Sequence, residues 1–279
     1  MGIIRIDRNV CTRCGACSED CIVDILKPGA DGFPAVAPEL EKYCLNCQHC
    51  LAVCPAGALT CHGVTAEQCA VPGRFPKPDE MFDLLRHRRS IRQFRNENVP
   101  SEILKKLKDS LAWSPTGCND HRLFFTVIED KSEMEFYRSE TGRMLKFLIR
   151  SGIMKLIYPN YKRYLEKIMN GRDVIFRNAP HMIVAASPVN APCKEADPWI
   201  ALSYFDLFAR TFGVGSCWCG FAVHAFRWNR RLRVRLGIPA GYKIGAVLLF
   251  GIPSVNYFRS TAPEQYRIHS AGPENGRKK

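Results

Sequence analysis

The sequence has no apolar run long enough to span a bilayer as a helix, which excludes a helical membrane anchor. Its start, "MGIIRIDRNVC", lacks the extended apolar stretch of a secretory signal, so a cytoplasmic location is expected. Ile6 stands where N-myristoylation wants Ser or Thr. No Gly-x-Gly-x-x-Gly fingerprint marks a dinucleotide fold. Acidic residues are also scarce: 27 against 40 Lys and Arg, a net charge of +13. The imbalance is uneven. Residues 1–75 hold six basic and eight acidic residues, whereas the remaining chain holds 34 and 19, which points to two domains. What is abundant is cysteine, with 14 in 279 residues. In a reducing compartment these are metal ligands or free thiols rather than a disulfide framework.

Cys11, Cys14, Cys17 and Cys21 spell C-x₂-C-x₂-C-x₃-C, and Cys44, Cys47, Cys50 and Cys54 spell it again 33 residues later. Two copies of one motif imply two copies of one small unit. Three thiolates two residues apart wrap three irons of a cubane, and the fourth lies beyond reach and serves the other cluster. Cys11, Cys14, Cys17 and Cys54 are therefore assigned to one [4Fe–4S] cluster, and Cys44, Cys47, Cys50 and Cys21 to the other. Zinc or unligated thiols are the alternatives, but zinc sites pair two cysteines with a distant second pair. Pro55 follows Cys54, while Ile22 follows Cys21, a departure that removes no ligand. Residues 1–65 resemble a bacterial two-cluster ferredoxin.

"VPGRFPKPDE" (71–80) carries three prolines and a glycine and reads as a linker. Beyond it the pattern changes. "FFTVIED" (124–130), "HMIVAAS" (181–187) and "KIGAVLLFG" (243–251) read as buried strands, and residues 132–150, 155–170, 197–212 and 222–236 as helices. The expected organisation is a ferredoxin unit over 1–70, a linker over 71–80, a layered domain over 81–265 and a flexible tail over 266–279.

Four stretches of the second domain stand out. "RHRRSIRQF" (86–94) crowds Arg86, Arg88, Arg89 and Arg92 around Ser90; such guanidinium forks suit phosphate or carbonyl oxygens, and the bland reading is a solvated helix face. "WSPTGCND" (113–120) turns the chain before a strand. "FGVGSCWCGF" (212–221) is a Gly-punctuated turn after a helix, and "GIPSVNYFRS" (251–260) leaves the last strand. In this order, and with "RNAPHMIVAASP" (177–188) between them, the four resemble the flavin-dependent nitroreductase family over residues 80–262. That resemblance implies an α+β fold, a central mixed sheet flanked by helices, preceded here by the small ferredoxin-like iron–sulfur domain. It implies FMN at a homodimer interface. Arg88, Arg89, Ser90 and Arg92 would hold its phosphate, ribityl chain and pyrimidine edge, and Arg259 would reach the phosphate. Pro115, Thr116, Gly117 and Asn119 would come from the partner subunit. Cys217, Trp218, Cys219 and Gly220 would pass beside the isoalloxazine, with the Cys219 amide donating to N5. The family often has Gln-Pro-Trp where His121, Arg122 and Leu123 stand here.

Cys217 and Cys219 read as packing thiols, since both clusters are complete without them; a redox-active pair is the alternative. Cys61, Cys69, Cys118 and Cys193 take the same default. His121, His181 and His224 read as structural. Residues 131–177, with Tyr137, Met144, Phe147, Met154, Tyr158, Tyr161 and Tyr164, form the expected specificity segment, although such stripes also suit a core or interface. "FRWNRRLRVR" (226–235) reads first as a solvated face, then as a docking face for an acidic redox partner, and last as a nucleic-acid site. The expected function is an oxygen-sensitive oxidoreductase with FMN and two [4Fe–4S] clusters. Electrons would come from an external donor (ferredoxin, flavodoxin or NAD(P)H) and go to a nitroaromatic or quinone-like acceptor. Reductive dehalogenation, ene reduction and a non-enzymatic carrier or redox sensor are the alternatives. No membrane or nucleic-acid partner is expected.

Overall fold

A computed structural model describes residues 2–152, 162–262 and 267–270. Met154, Tyr158 and Tyr161 of the expected specificity segment, and most of the expected tail, lie outside the described residues.

The cysteine repeat is a repeat of backbone conformation as well. Strand β1 (Ile4–Ile6) precedes helix α1 (Ala16–Glu19), strand β2 (Leu26–Pro28) and strand β3 (Pro34–Val36). Helix α2 (His49–Ala52) and strand β4 (Leu59–Cys61) stand 33 residues after α1 and β2. Left-handed residues follow the same offset: Arg13 and Asn46, Gly15 and Gln48, Asp24 and Gly57. The positive φ values curl each three-cysteine loop tightly before its short helix. The apolar core of this unit is small: Cys17, Cys50 and Cys61 cluster with Leu26, Leu51 and Leu59, and Ile25 and Ala58 are the other buried apolar residues described there. Strand β5 (Val64–Thr65) ends the unit by pairing with β4.

Residues 71–77 are exposed and without regular structure. Helix α3 (Pro78–His87) begins inside the Pro-rich stretch, since Pro at the first helical position lacks only an N–H that has no partner there. The second domain continues with α4 (Ser101–Ser110), β6 (Phe124–Ile128), α5 (Lys131–Arg150), α6 (Lys162–Met169), β7 (His181–Pro188), α7 (Asp197–Thr211), β8 (Gly215–Trp218), α8 (Gly220–Trp228), α9 (Arg230–Arg235) and β9 (Tyr242–Gly251). The sheet order is β6-β7-β9-β8, with every pairing antiparallel. A parallel bridge from Ser90 to Ser216 makes its edge mixed.

Strand β7 is buried along its whole length. Its side chains alternate between two cores, as the two-residue period requires. Met182 and Val184 pack with Val247 and Leu249 against α5 and α8, whereas Ile183 and Ala185 pack with Ala246, Leu248 and Phe250 against α4 and α7. The expected helix over 222–236 is two helices. The Asn229 side chain accepts from the N–H groups of Arg231 and Leu232 and caps α9, breaking the run. The stretch 215–218, read as a turn, is an edge strand. Among the described residues no helix is long and apolar enough to cross a membrane.

His181, fully buried, is locked as a neutral tautomer. Nε2 accepts from the Val99 N–H at 2.8 Å, and Nδ1 faces the Ile128 carbonyl at 3.1 Å. Burial holds its pKa below the ordinary 6.5. The unfolded chain therefore binds the proton first. Stability is whole above about pH 6.5 and is lost as pH falls through that value towards the folded pKa. Thermal melts from pH 7.5 to 5 should show a falling midpoint, and His181→Gln, which keeps one donor and one acceptor, should flatten that part of the slope.

Candidate active site and iron–sulfur centres

Two small cavities collect the motif cysteines. One is walled by Cys11, Cys14, Cys17 and Cys54, the other by Cys21, Cys44, Cys47 and Cys50 together with Cys61. Each draws three sulfurs from one motif and the fourth from the other. Four converging soft donors in an apolar wall fit an iron–sulfur cubane. Burial pushes the Cys50 thiol up to about 12 and raises Cys17 as well. Backbone N–H groups already point at two sulfurs, Asn46 to Cys44 Sγ at 3.4 Å and Ala58 to Cys54 Sγ at 3.3 Å.

In the second domain three of the four sequence motifs converge. The Ile91 N–H donates to the Ser216 carbonyl at 2.7 Å, Arg95 to Ile252 at 2.8 Å and Ser254 to Gln93 at 3.1 Å. The Arg-rich segment thus lies between β8 and the exit from β9. Gly215 sits at the crossing: a Cβ there would stand 2.3 Å from Ile91 Cγ1 and 2.8 Å from Pro253 Cγ. Arg88 Nε donates to Asp206 Oδ2 at 2.8 Å, and the other oxygen of that carboxylate accepts from the Ser216 hydroxyl. Asp206 is buried on α7 and was missed by sequence reading; its signal was an acid set in the apolar stripe of Leu202, Phe205 and Ala209. Arg89 donates to Thr261 Oγ1 at 2.9 Å. Arg92 and Arg259 are exposed.

The fourth motif lies elsewhere in the same chain. The Gly117 N–H donates to Asp197 Oδ1 at 3.1 Å, at the start of α7, and a Cβ on Gly117 would meet Cys193 Sγ at 2.4 Å. Asp197 and Asp206 are nine residues apart on one helix, about 13 Å of rise. The loop of Pro115, Thr116, Gly117 and Asn119 is therefore set off from the arginines of its own chain. Asn119 instead donates through Nδ2 to the carbonyls of Leu45 (3.2 Å) and Asn46 (2.9 Å), while its Oδ1 meets His121 Nε2 at 2.7 Å. Leu45 and Asn46 lie between Cys44 and Cys47.

The implied role of the Cys219 amide needs correction. Its N–H donates to the Val247 carbonyl at 2.9 Å, extending the β8–β9 pairing, so it has no proton left for a flavin. Gly220, exposed and first in α8, has an N–H without an intrahelical partner. Cys217 and Cys219 are buried; Cys219 Sγ faces the Ile175 carbonyl at 3.5 Å, and burial pushes its pKa up to about 12. Trp218 stacks on Trp199 with centroids 5.0 Å apart. In 131–177, Tyr137 is core, Phe147 and Tyr164 are exposed, and Met144 packs on the core edge. A cleft of mixed lining opens there, with Arg138, Arg143 and Asp173 beside Leu145, Ile168 and Ile175. In the basic run, Arg227 and Arg233 donate to the carbonyls of Ile244 and Tyr242, Arg235 pairs with Glu133, and Arg231 lies 3.8 Å from Glu140. These arginines serve the domain's own fold.

A four-stranded sheet flanked by helices with three segments converging at its edge is thus joined to a unit whose cysteines line two cavities. The nitroreductase family model matches residues 85–252 and a 4Fe-4S dicluster domain model matches residues 10–59; the chain belongs to the nitroreductase family. The fold is similar to that of a nitroreductase with bound FMN from Desulfitobacterium hafniense DCB-2, at 23% identity and a TM-score of 0.56, covering 69% of this chain and 98% of that one. In sequence the chain is 25% identical to iodotyrosine deiodinase of Thermotoga neapolitana over 62% of its length and 88% of that protein. It is also 25% identical to iodotyrosine deiodinase 1 of Sus scrofa, over 64% of this chain and 63% of that one.

Proposed function

We propose that this oxidoreductase passes electrons from two [4Fe–4S] clusters to FMN and on to a small acceptor, nitroaromatic or quinone-like. The clusters supply electrons singly, and the flavin collects them for a two-electron reduction. The observation that carries this reading is the Asn119 amide on the carbonyls of Leu45 and Asn46. It ties the ligand loop of the second cluster to the loop that would flank a flavin. Arg89, Ser90, Arg92 and Arg259 would hold the phosphate and polar edge of FMN, with Arg88 braced by Asp206. The Gly220 N–H takes the place earlier given to Cys219. Residues 115–119 would complete the site of a partner subunit. Helix α7 supports a homodimer, since it leaves Trp199, Ile200, Tyr204 and Phe208 exposed on one side. The ferredoxin unit, joined through 71–77, would take electrons from an external donor in the cytoplasm.

A second reading is favoured by the two curated relatives: the acceptor is a halogenated aromatic, and the product is its dehalogenated form with free halide.

An anaerobic titration tests both readings. The protein is fully reduced, freed of reductant, and mixed with a nitroaromatic or with a halogenated phenol. Reoxidation of flavin and cluster bands with a reduced nitrogen product supports the first reading; reoxidation with halide release supports the second. Bands that stay reduced in both arms overturn the proposal. In Asn119→Ala, compared per bound flavin, the cluster bands should reoxidise about tenfold more slowly relative to the flavin band than in the wild type. Equal slowing of both bands would show that Asn119 acts on the flavin alone.

A further inference from the structure

The second cysteine cavity holds a thiol that the motif does not require. Cys61 is 1% exposed and lines the wall shared by Cys21, Cys44, Cys47 and Cys50. The sulfurs of Cys44 and Cys61 and a ring nitrogen of His62 lie within 4.8 Å of one another. Cys61 sits at the end of β4, in register with Ile4 of β1, so its backbone is fixed by the sheet. The repeat supplies an internal control. The residue 33 positions before Cys61 is Pro28, at the end of β2, which offers no donor. The cavity of Cys11, Cys14, Cys17 and Cys54 has no fifth sulfur in its wall. The extra thiol therefore belongs to one half of the repeat only.

We propose that Cys61 is a reserve ligand of the second cluster, placed to take the iron position held by Cys44. The inference rests on the two-cluster reading above. Two sulfurs this close, one on a curled loop and one on a strand, can reach the same iron. The exchange needs no oxidant. The Fe–S bond to Cys44 breaks, the bond to Cys61 forms, and the proton leaving the Cys61 thiol passes to the freed Cys44 thiolate, directly or through His62. Cys44 is the partner outside the sheet, on the loop before α2, whereas Cys61 is held in β4 by its pairing with β1. The loop carrying Cys44 is also the one that Asn119 touches, so the exchange would let that loop shift with its cluster intact.

Iron and sulfide content, with electron paramagnetic resonance of the reduced protein, tests this on the full chain reconstituted anaerobically. Cys11→Ala, at the equivalent position of the first motif, should lose half of the iron. Cys44→Ala should keep full iron, and Cys44→Ala with Cys61→Ala should lose half. A Cys44→Ala protein already at half iron overturns the proposal, as does a double variant that matches Cys44→Ala at full iron. Wild-type protein holding only half of the iron of two clusters would sink the two-cluster reading itself. If Cys44→Ala is not recovered as soluble protein, Cys44→Ser replaces it. A wild-type resonance that changes on adding Cys61→Ala supports the exchange, and an altered resonance that Cys61→Ala does not move overturns it.

Discussion

Cys54→Ala is expected to empty the cluster of the first motif, and Cys21→Ala that of the second, each removing half of the iron. Cys54 is the only second-motif cysteine on the wall with Cys11, Cys14 and Cys17, and Cys21 the only first-motif one on the wall with Cys44, Cys47 and Cys50. The resonance of Cys54→Ala should therefore match that of Cys14→Ala, and that of Cys21→Ala should match Cys47→Ala. The opposite match would mean that each motif holds its own cluster. The loss should extend to folding. With so small an apolar core, a unit of this size should depend on bound metal for its stability. Removing iron with a chelator should likewise expose residues 1–65 to limited proteolysis while the second domain resists. The flavin content should hold in each variant, because Arg89, Ser90 and Arg92 are anchored to β8 and β9 rather than to the ferredoxin unit.

What the sequence disclosed here was whatever repeats or alternates. The gathering of eight cysteines at two cavities is legible because a covalent spacing of two and three residues already brings their side chains together. The buried strands are legible because 181–187 and 243–251 are short, apolar and partly β-branched runs, too short for a buried helix. The edge strand 215–218 was not, since four residues with a glycine look like a turn until β9 and Ile91 are seen on either side. Asp206 was passed over because its role depends on Arg88, 118 positions away. The same holds for Asn119 and the carbonyls of Leu45 and Asn46, a contact with no local signature. The Cys219 amide was assigned to a cofactor because sequence cannot show that Val247 already holds it. Motif reading names the segments that meet; hydrogen-bond accounting then decides which atoms remain free.

Arg88→Ala should lower the stability of the flavin-free protein by about 3 kcal/mol, a drop of about 6–12 °C in melting temperature. The reason lies in Asp206, whose side chain is only 6% exposed and whose carboxylate has Arg88 as its cationic partner. Removing the guanidinium leaves a buried negative charge with the Ser216 hydroxyl as its remaining bond, and a lone buried charge costs far more than its pair gains. Asp206→Leu with Arg88→Met should therefore recover most of the loss, because the pair is exchanged for apolar groups of similar volume. The measurement must be made without flavin. If Arg88 acted only on the FMN phosphate, Arg88→Ala would melt like the wild type in the flavin-free state and differ only when loaded. If it acts as the structure places it, the flavin-free midpoint falls first. The loss of flavin affinity then follows from the slackened segment that carries Arg89, Ser90 and Arg92. The double variant separates the two contributions: restored melting with flavin still weakly held would assign Arg88 both tasks, bracing the segment through one nitrogen and facing the cofactor with the others.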